Sequence, residues 1–377
     1  MSEKKPPLVV SNVIFFVAIN LLGFVAAPVY GLLVGFSGWA WLAAAVIWLA
    51  SGLSITVGYH RLWSHRAFKA AWPLRLALAF FGTFSLQNSI LTWAARHRVH
   101  HRHVDDVERD PHSIKSGFWH AHMGWMTRHW KTSEINLDKV PDLKKDPIVM
   151  WQHKLYWPGV WTLNLGVPAV LGWFAGDVLG MILLAGAFRL ALSQHFTFFI
   201  NSLAHTWGKR GYSLDNTARD NGWIALMTWG EGYHNFHHAF QSDYRNGLAW
   251  WQFDPSKWLI AACSWLGLAR DLKRTAAFKI QRARLQIRFE ELQQHLAEKP
   301  MPPTWREVVE REYQQFRDTV GQWQVVQAER VQAGADAVRD RWRKIEFRTR
   351  YKELEYRLKM QGRRLAALQR SIQPQPA

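Results

Sequence analysis

Two pairs of long apolar runs are separated along this chain by a polar interval rich in histidine. Residues 8–35 and 36–59 contain no charged side chain, and each can cross a hydrocarbon core of about 30 Å, which takes roughly 20 helical residues. A second pair follows at 157–176 and 178–203, divided at Gly176 and Asp177 and interrupted by Arg189 and His195. Lys4 and Lys5 precede the first run as in a signal peptide, but the run is longer than a signal core of roughly 7–15 residues and predicts a retained anchor. Four spans put both termini on one side. The connections around Ser37 and Asp177 hold no Lys or Arg, whereas the tails and the 59–156 loop hold nearly all of them, which predicts that tails and loop are cytoplasmic. A further apolar stretch at 74–93 reads as one helix lying in the interface, with Arg75 and Gln87 on its polar face.

Composition changes this picture mainly at the C-terminal end. The 377 residues include 47 Lys and Arg against 29 Asp and Glu, a net charge of +18, with a pI near 10.2. Taken alone these suggest a phosphate-bearing partner, and the mean hydropathy of −0.19 suggests a soluble chain. Both are averages over unlike regions. From residue 268 onward, 24 Lys and Arg face 14 Asp and Glu, so this extension supplies +10 of the +18. Val309, Tyr313, Phe316, Val320 and Trp323 recur by 4, 3, 4 and 3, the mark of a helix with one apolar seam. Pro302 and Pro303 divide the extension into two helical blocks, and the closing SIQPQPA reads as a frayed end. The segments are therefore 1–59, 60–156, 157–203, 204–267 and 268–377. No basic groove interleaved with aromatics stands on a soluble fold, which argues against nucleic acid. A soluble helical protein would have to bury two uncharged pairs of runs in one globule, which disfavours it.

The single cysteine, Cys263, excludes an internal disulfide framework and a cysteine-based zinc or iron–sulfur site. Chemistry falls instead to 17 histidines. His60 and His65 stand in HRLWSH; His97, His100 and His101 in HRVHH; His234, His237 and His238 in HNFHH. Positions i, i+3 and i+4 share a helix face, so each HxxHH presents imidazoles to a common point. His60 and His65 are roughly 140° out of phase on an α-helix and converge only across a helix end. Neutral imidazole suits iron, zinc and copper. Eight of them exceed the four ligands of one zinc ion, so two metals sharing the set is the economical reading. There is no HExxH for zinc hydrolysis; iron for oxygen activation fits best, and copper fits the same spacing. His103, His112, His120 and His122 are candidate supports for the ligands, and Asp105, Asp106, Asp110 and Glu231 are candidate carboxylates to hold them. His129, His153 and His295 read as surface residues.

At these motifs the chain resembles the membrane fatty acyl desaturases of the Delta-9, stearoyl-CoA type, over residues 10–262. The matching residues are HRLWSH at 60–65, WAARHRVHH at 93–101, DPH at 110–112, DLKKDPIVMWQ at 142–152, INSLAH at 200–205 and GEGYHNFHH at 230–238. The resemblance implies an all-α integral membrane protein with four transmembrane helices and a cytosolic helical cap carrying a histidine-rich di-metal site. The basic C-terminal helical extension lies outside the match. It implies a non-haem di-iron centre using oxygen, with ligands His60, His65, His97, His100, His101, His234, His237 and His238. It adds His205 as a ninth, and Asn201 through a water. It also implies that Gln87, Trp93 and Thr197 line the bend of an acyl tunnel and that Asn88 meets the head group. Where animal acyl-CoA desaturases read WARDH, this chain has Ala95 and Arg96 in place of the Arg and Asp that touch CoA. Acyl groups on a phospholipid or carrier protein therefore join acyl-CoA as candidate donors. No HPGG haem segment occurs, which implies a separate electron donor, a ferredoxin or an NAD(P)H-dependent reductase, and fits a bacterial inner membrane. A hydroxylase on the same scaffold shares every motif. A metal transporter would need more polar groups inside the spans.

Overall fold

A computed structural model describes residues 6–298, 303–333 and 341–372. The described chain is helical apart from one antiparallel pair of two-residue strands, Lys69–Ala70 against Ala269–Arg270, and isolated bridges. In chain order the helices that matter here are α1 (Val10–Leu33), α2 (Gly38–Ser64), α3 (Trp72–Thr83), α4 (Ile90–His103), α5 (156–175), α6 (Val178–His205) and α7 (His234–Ala239). The extension supplies α8 (Ala277–Glu298), α9 (Pro303–Gln332) and α10 (Arg341–Ile372).

Among the described residues three helices, α1, α2 and α6, are long and apolar enough to cross a membrane. Helix α5 is continuous but falls short of them in apolar character, since Trp, Pro, Gly and Asn164 interrupt its aliphatic run. Leu32, Leu33, Trp39, Trp41, Trp173 and Phe174 are exposed, an apolar surface that suits lipid and not water. The hairpin turns follow from local chemistry. Ser37 caps α2 by accepting the Ala40 N–H, and Asp177 caps α6 by accepting the Gly180 N–H. Gly176 ends α5 at φ 78°, a left-handed conformation that glycine adopts without cost.

The 74–93 stretch is not one interfacial helix. It is α3, a turn at 84–89, and the first part of α4. Leu86 and Asn88 have positive φ (50° and 75°), so the chain reverses where apolar composition alone suggests continuity. Arg75 pairs with Asp146, and Gln87 sits in the turn, facing inward rather than on a helix's polar side.

By internal contacts the chain divides into two compact units: residues 1–210 with 215–274, and 211–214 with 275–377. Among the described residues the second has three long helices where the proline break suggested two. Its core joins Phe278, Phe289 and Leu292 of α8 to Val309, Phe316 and Trp323 of α9 and Leu354, Leu358 and Leu365 of α10, with Tyr313 and Val320 packed against it. The 4, 3, 4, 3 seam is thus the inner face of α9. Pro302 and most of SIQPQPA lie outside the described residues.

Candidate metal centre

The C-terminal turns of α2 and α6, the second half of α4 and all of α7 meet at one place. The end of α2 is wound as a π-helix from Ser54 to Ser64, and the His65 N–H donates to the His60 carbonyl five residues back (3.1 Å). That winding, common at functional sites, brings His60 and His65 onto one side, with ring centroids 4.7 Å apart. Helix α4 contributes His97, His100 and His101, α6 contributes His205, and α7 contributes His234, His237 and His238.

The nine histidines form two groups. His60, His65, His97, His101 and His237 bring ring nitrogens within 4.8 Å of one another, as do His100, His205, His234 and His238. In the first group His60 Nε2 lies 3.0 Å from His237 Nε2, His65 Nε2 2.8 Å from His97 Nε2, and His237 Nε2 2.9 Å from His101 Nε2. In the second, His234 Nε2 lies 3.2 Å from His205 Nε2 and 3.1 Å from His238 Nε2. A neutral imidazole has one donor and one acceptor nitrogen. His237 Nε2 meets two other ring nitrogens and can satisfy one of them at most. Opposed lone pairs at such distances repel, and a divalent cation among them turns the repulsion into ligation. The donor set therefore fits two metal ions of the borderline, imidazole-binding kind.

The far nitrogens fix the rings. His100 Nδ1 bonds Asp110 Oδ1 at 2.9 Å. His60 Nδ1 lies 2.8 Å from Glu231 Oε2, off the hydrogen-bond axis. His205 Nδ1 donates to Thr217 Oγ1 (2.8 Å), whose hydroxyl donates on to Asp105 Oδ1 (2.7 Å). Three of the four candidate carboxylates thus sit behind ligand imidazoles, each directly or through one hydroxyl. The fourth, Asp106, stays local: it accepts the Glu108 N–H and pairs with Arg109 at 3.7 Å. Burial, with added repulsion from neighbouring imidazoles, pushes His97, His101, His234, His237 and His238 well below the ordinary value of 6.5. They are neutral at physiological pH, the form that binds metal. Burial works against ionising Glu231 and Asp110, but His60 and Arg61 beside the one, and His100 and His112 beside the other, outweigh it and hold both carboxyls low.

Several supports carry no sequence signal. Arg61, 1% exposed, donates to Glu231 Oε1 (3.0 Å), to the Tyr244 carbonyl (2.8 Å) and to Asp254 Oδ2 (3.2 Å). Asn246 Nδ2 donates to Glu231 Oε2 (2.8 Å). Gly230 of GEGYH has φ 100°, and a Cβ there would lie 2.6 Å from Asp254 Oδ1, so only glycine lets this loop close on the network. His112 packs against His100, its ring tilted by 40° and 4.4 Å away. His122 instead bonds Ser202 and His195 (both 3.0 Å), away from the two groups. His120 rests against Trp130, and His153, expected at the surface, accepts or donates a bond with Ser89 Oγ at 2.7 Å.

A partly open cavity adjoins the histidines, a concave site of the kind that small-molecule ligands occupy. His60, His97, His100, His234 and Glu231 line one part, and Trp48, Gly52, Ile55, Ser85, Ser193, Ile200, Met227 and Trp229 line the rest. Gln87, Trp93, Thr197 and Asn201 also line it, whereas Asn88 is exposed and outside its wall. Trp93 Nε1 donates to Gln87 Oε1 (3.2 Å) and Gln87 Nε2 donates to Thr197 Oγ1 (2.9 Å). These polar groups thus satisfy one another across the wall.

Residues 37–270 match the family model for fatty acid desaturase, a span holding all nine histidines and the whole cavity. The chain belongs to the fatty acid desaturase family. It is 44% identical over 247 residues to a protein of Schizosaccharomyces pombe described as a probable acyl-CoA desaturase, which is 65% of this chain and 51% of that one. It is 36% identical over 278 residues to acyl-CoA desaturase 1 of Tachysurus fulvidraco, 72% of this chain and 82% of that one. It is also 32% identical over 265 residues to the sn-2 palmitoyl-lipid 9-desaturase of Nostoc, 69% of this chain and 88% of that one. The chain thus spans about half the length of its fission-yeast relative. The matched span ends before α8, so the three-helix unit stands outside the shared family region.

Proposed function

We propose that this chain is an oxygen-dependent fatty acyl desaturase that introduces a cis double bond, at Delta-9, into a saturated acyl chain presented as acyl-CoA or bound to a lipid. The observation that carries this reading is two groups of neutral, carboxylate-backed histidines at the wall of a largely apolar cavity in a membrane protein. Two irons would be held by His60, His65, His97, His101 and His237 on one side and by His100, His205, His234 and His238, with Asn201 through a water, on the other. Iron so held supplies, with oxygen and electrons from a separate carrier, the oxidising power to remove hydrogen from two adjacent unactivated methylenes.

The protein's own contribution is placement. No acid–base residue is needed at the carbon chain. The cavity wall excludes water and holds one stretch of chain against the histidines, so the choice of bond follows from fit. The Trp93–Gln87–Thr197 belt gives the wall a fixed shape, and Asn88, outside it, suits the head-group contact. Membership supports this reading, since the family match spans the site and the similar proteins include ones named acyl-CoA desaturase and palmitoyl-lipid 9-desaturase. In the membrane we take α5 as the third of four spans, the histidine side and both termini as cytoplasmic by the positive-inside bias, and the membrane as a bacterial inner one.

Fatty-acid profiling of a desaturase-deficient host tests this. The wild-type chain should produce a monounsaturated acid two mass units below its parent, purified protein should carry two irons per chain, and His101→Ala should yield neither product nor full metal. Active protein free of iron would end the di-iron reading. A product heavier by one oxygen would reassign the chain as a hydroxylase.

A further inference from the structure

Arg189 lies within α6 and is 2% exposed. An ionised side chain inside a span is costly and marks function more often than packing. Among the described residues no carboxylate pairs with it. Its Nη1 donates to the Phe84 carbonyl (2.9 Å), its Nη2 to Asn164 Oδ1 (2.7 Å) and its Nε to the Ala185 carbonyl (3.0 Å). It therefore ties α6 to α5 and to the turn at 84–89.

That turn supplies Ser85 and Gln87 to the cavity. With Leu86 and Asn88 at positive φ, it persists only where its surroundings hold it. Tyr156 accepts the Asn88 N–H (2.8 Å) and Gln152 accepts the Ile90 N–H (3.0 Å) at its exit. At its start, Arg189 is the group on the Phe84 carbonyl, and its guanidinium also lies over the Phe84 ring, 6.0 Å from the centroid. The helical phase is equally telling. Ser193, Thr197, Ile200 and Asn201 form the stripe by which α6 lines the cavity. Arg189 is the next position on that stripe, about 6 Å further from His205 along the axis, yet it does not line the cavity. Its side chain is drawn across to Phe84 where the stripe would otherwise continue.

We propose that Arg189, by gripping the turn that carries Ser85 and Gln87 and by filling with Phe84 the space into which the α6 stripe would otherwise continue, is the positioning residue setting the length of acyl chain the site accepts. This rests on reading the cavity as the acyl site. Arg189→Ala empties that space and releases the turn, so the cavity lengthens. Arg189→Lys keeps a donor for the Phe84 carbonyl, and Asn164→Ala loosens the guanidinium without removing it.

The test is thermal stabilisation of the purified full chain by a graded series of saturated acyl-CoA esters, alongside product profiles and iron content. Arg189→Ala should shift preference toward longer chains by roughly tenfold, the worth of about one methylene in an apolar pocket, with iron content unchanged. Asn164→Ala should shift it less in the same direction, and Arg189→Lys should restore most of the wild-type preference. Unchanged length preference in Arg189→Ala overturns the proposal; if that variant does not fold, unchanged preference in Asn164→Ala does. Length-selective binding that moves with these variants, in a wild-type chain that forms no unsaturated product, sustains this proposal while ending the desaturase reading.

Discussion

The histidine site and the C-terminal unit are both helical, yet they use burial in opposite ways. Around the site many deeply buried residues are polar, set among apolar ones: Arg61, Asp110, Glu231, Asp254 and Asn235 are all at most 3% exposed. In the C-terminal unit the buried residues are Phe278, Phe289, Phe316, Leu292 and Leu365, with Phe278 stacked on Trp323 at 4.7 Å. Its charges stay toward the rim, as in Arg364 with Glu312 (2.8 Å). Buried ion pairs return little net stability for their desolvation, whereas an apolar seam gains from every methylene removed from water. The polar core is organised to hold ring nitrogens in place, and the apolar core is organised to hold helices together.

Substitutions should separate the two. The largest effect belongs to His237→Ala, because His237 alone faces both His60 and His101 at 3.0 and 2.9 Å. Metal analysis should show iron lost from the five-histidine group and activity below detection; full metal content would contradict the grouping. Next, Phe289→Ala, at a position with no exposure, should destabilise the C-terminal unit by about 3–5 kcal/mol. Denaturant unfolding read from that unit should report it while iron content stays at the wild-type level. A matched pair then divides the site: Glu231→Gln should weaken metal in the five-histidine group and Asp110→Asn in the four-histidine group, each by roughly 10–100-fold. Metal titration followed by spectroscopy would show the same iron affected in both if the division were wrong. The smallest effect is Arg364→Ala, for which loss of a half-exposed pair should cost the C-terminal unit under about 1 kcal/mol. A larger loss in chemical denaturation would mean that the rim charges do more than the seam.

The two regions also differ in how far their sequences reveal them. The seam of α9 is legible because a single helix writes its buried face at a fixed period. The HxxHH motifs are legible for the same reason. His205 has no local pattern, and only the family resemblance places it among the ligands. HRLWSH reads as straddling a helix end, and it does, with His65 capping α2; the π-helical winding of that end carries no sequence signal. Composition misleads at 74–93, where a mostly apolar stretch contains a turn, marked only by Ser85, Gln87, Asn88 and Ser89, that Arg189, Tyr156 and Gln152 hold from elsewhere in the chain.

The sequence by itself determined the apolar runs, the histidine motifs, the basic bias of one side and the seam of the extension, because each depends on neighbours within a turn or two of helix. Only the tertiary structure decided that nine histidines divide five and four, and that Glu231 backs His60 from 171 residues away (231 − 60). The same holds for a lone arginine in a span gripping the turn beside the cavity. These pairings join elements distant in sequence. Their partners are selected by burial and by the need to satisfy every polar group removed from water, and no local period records that need.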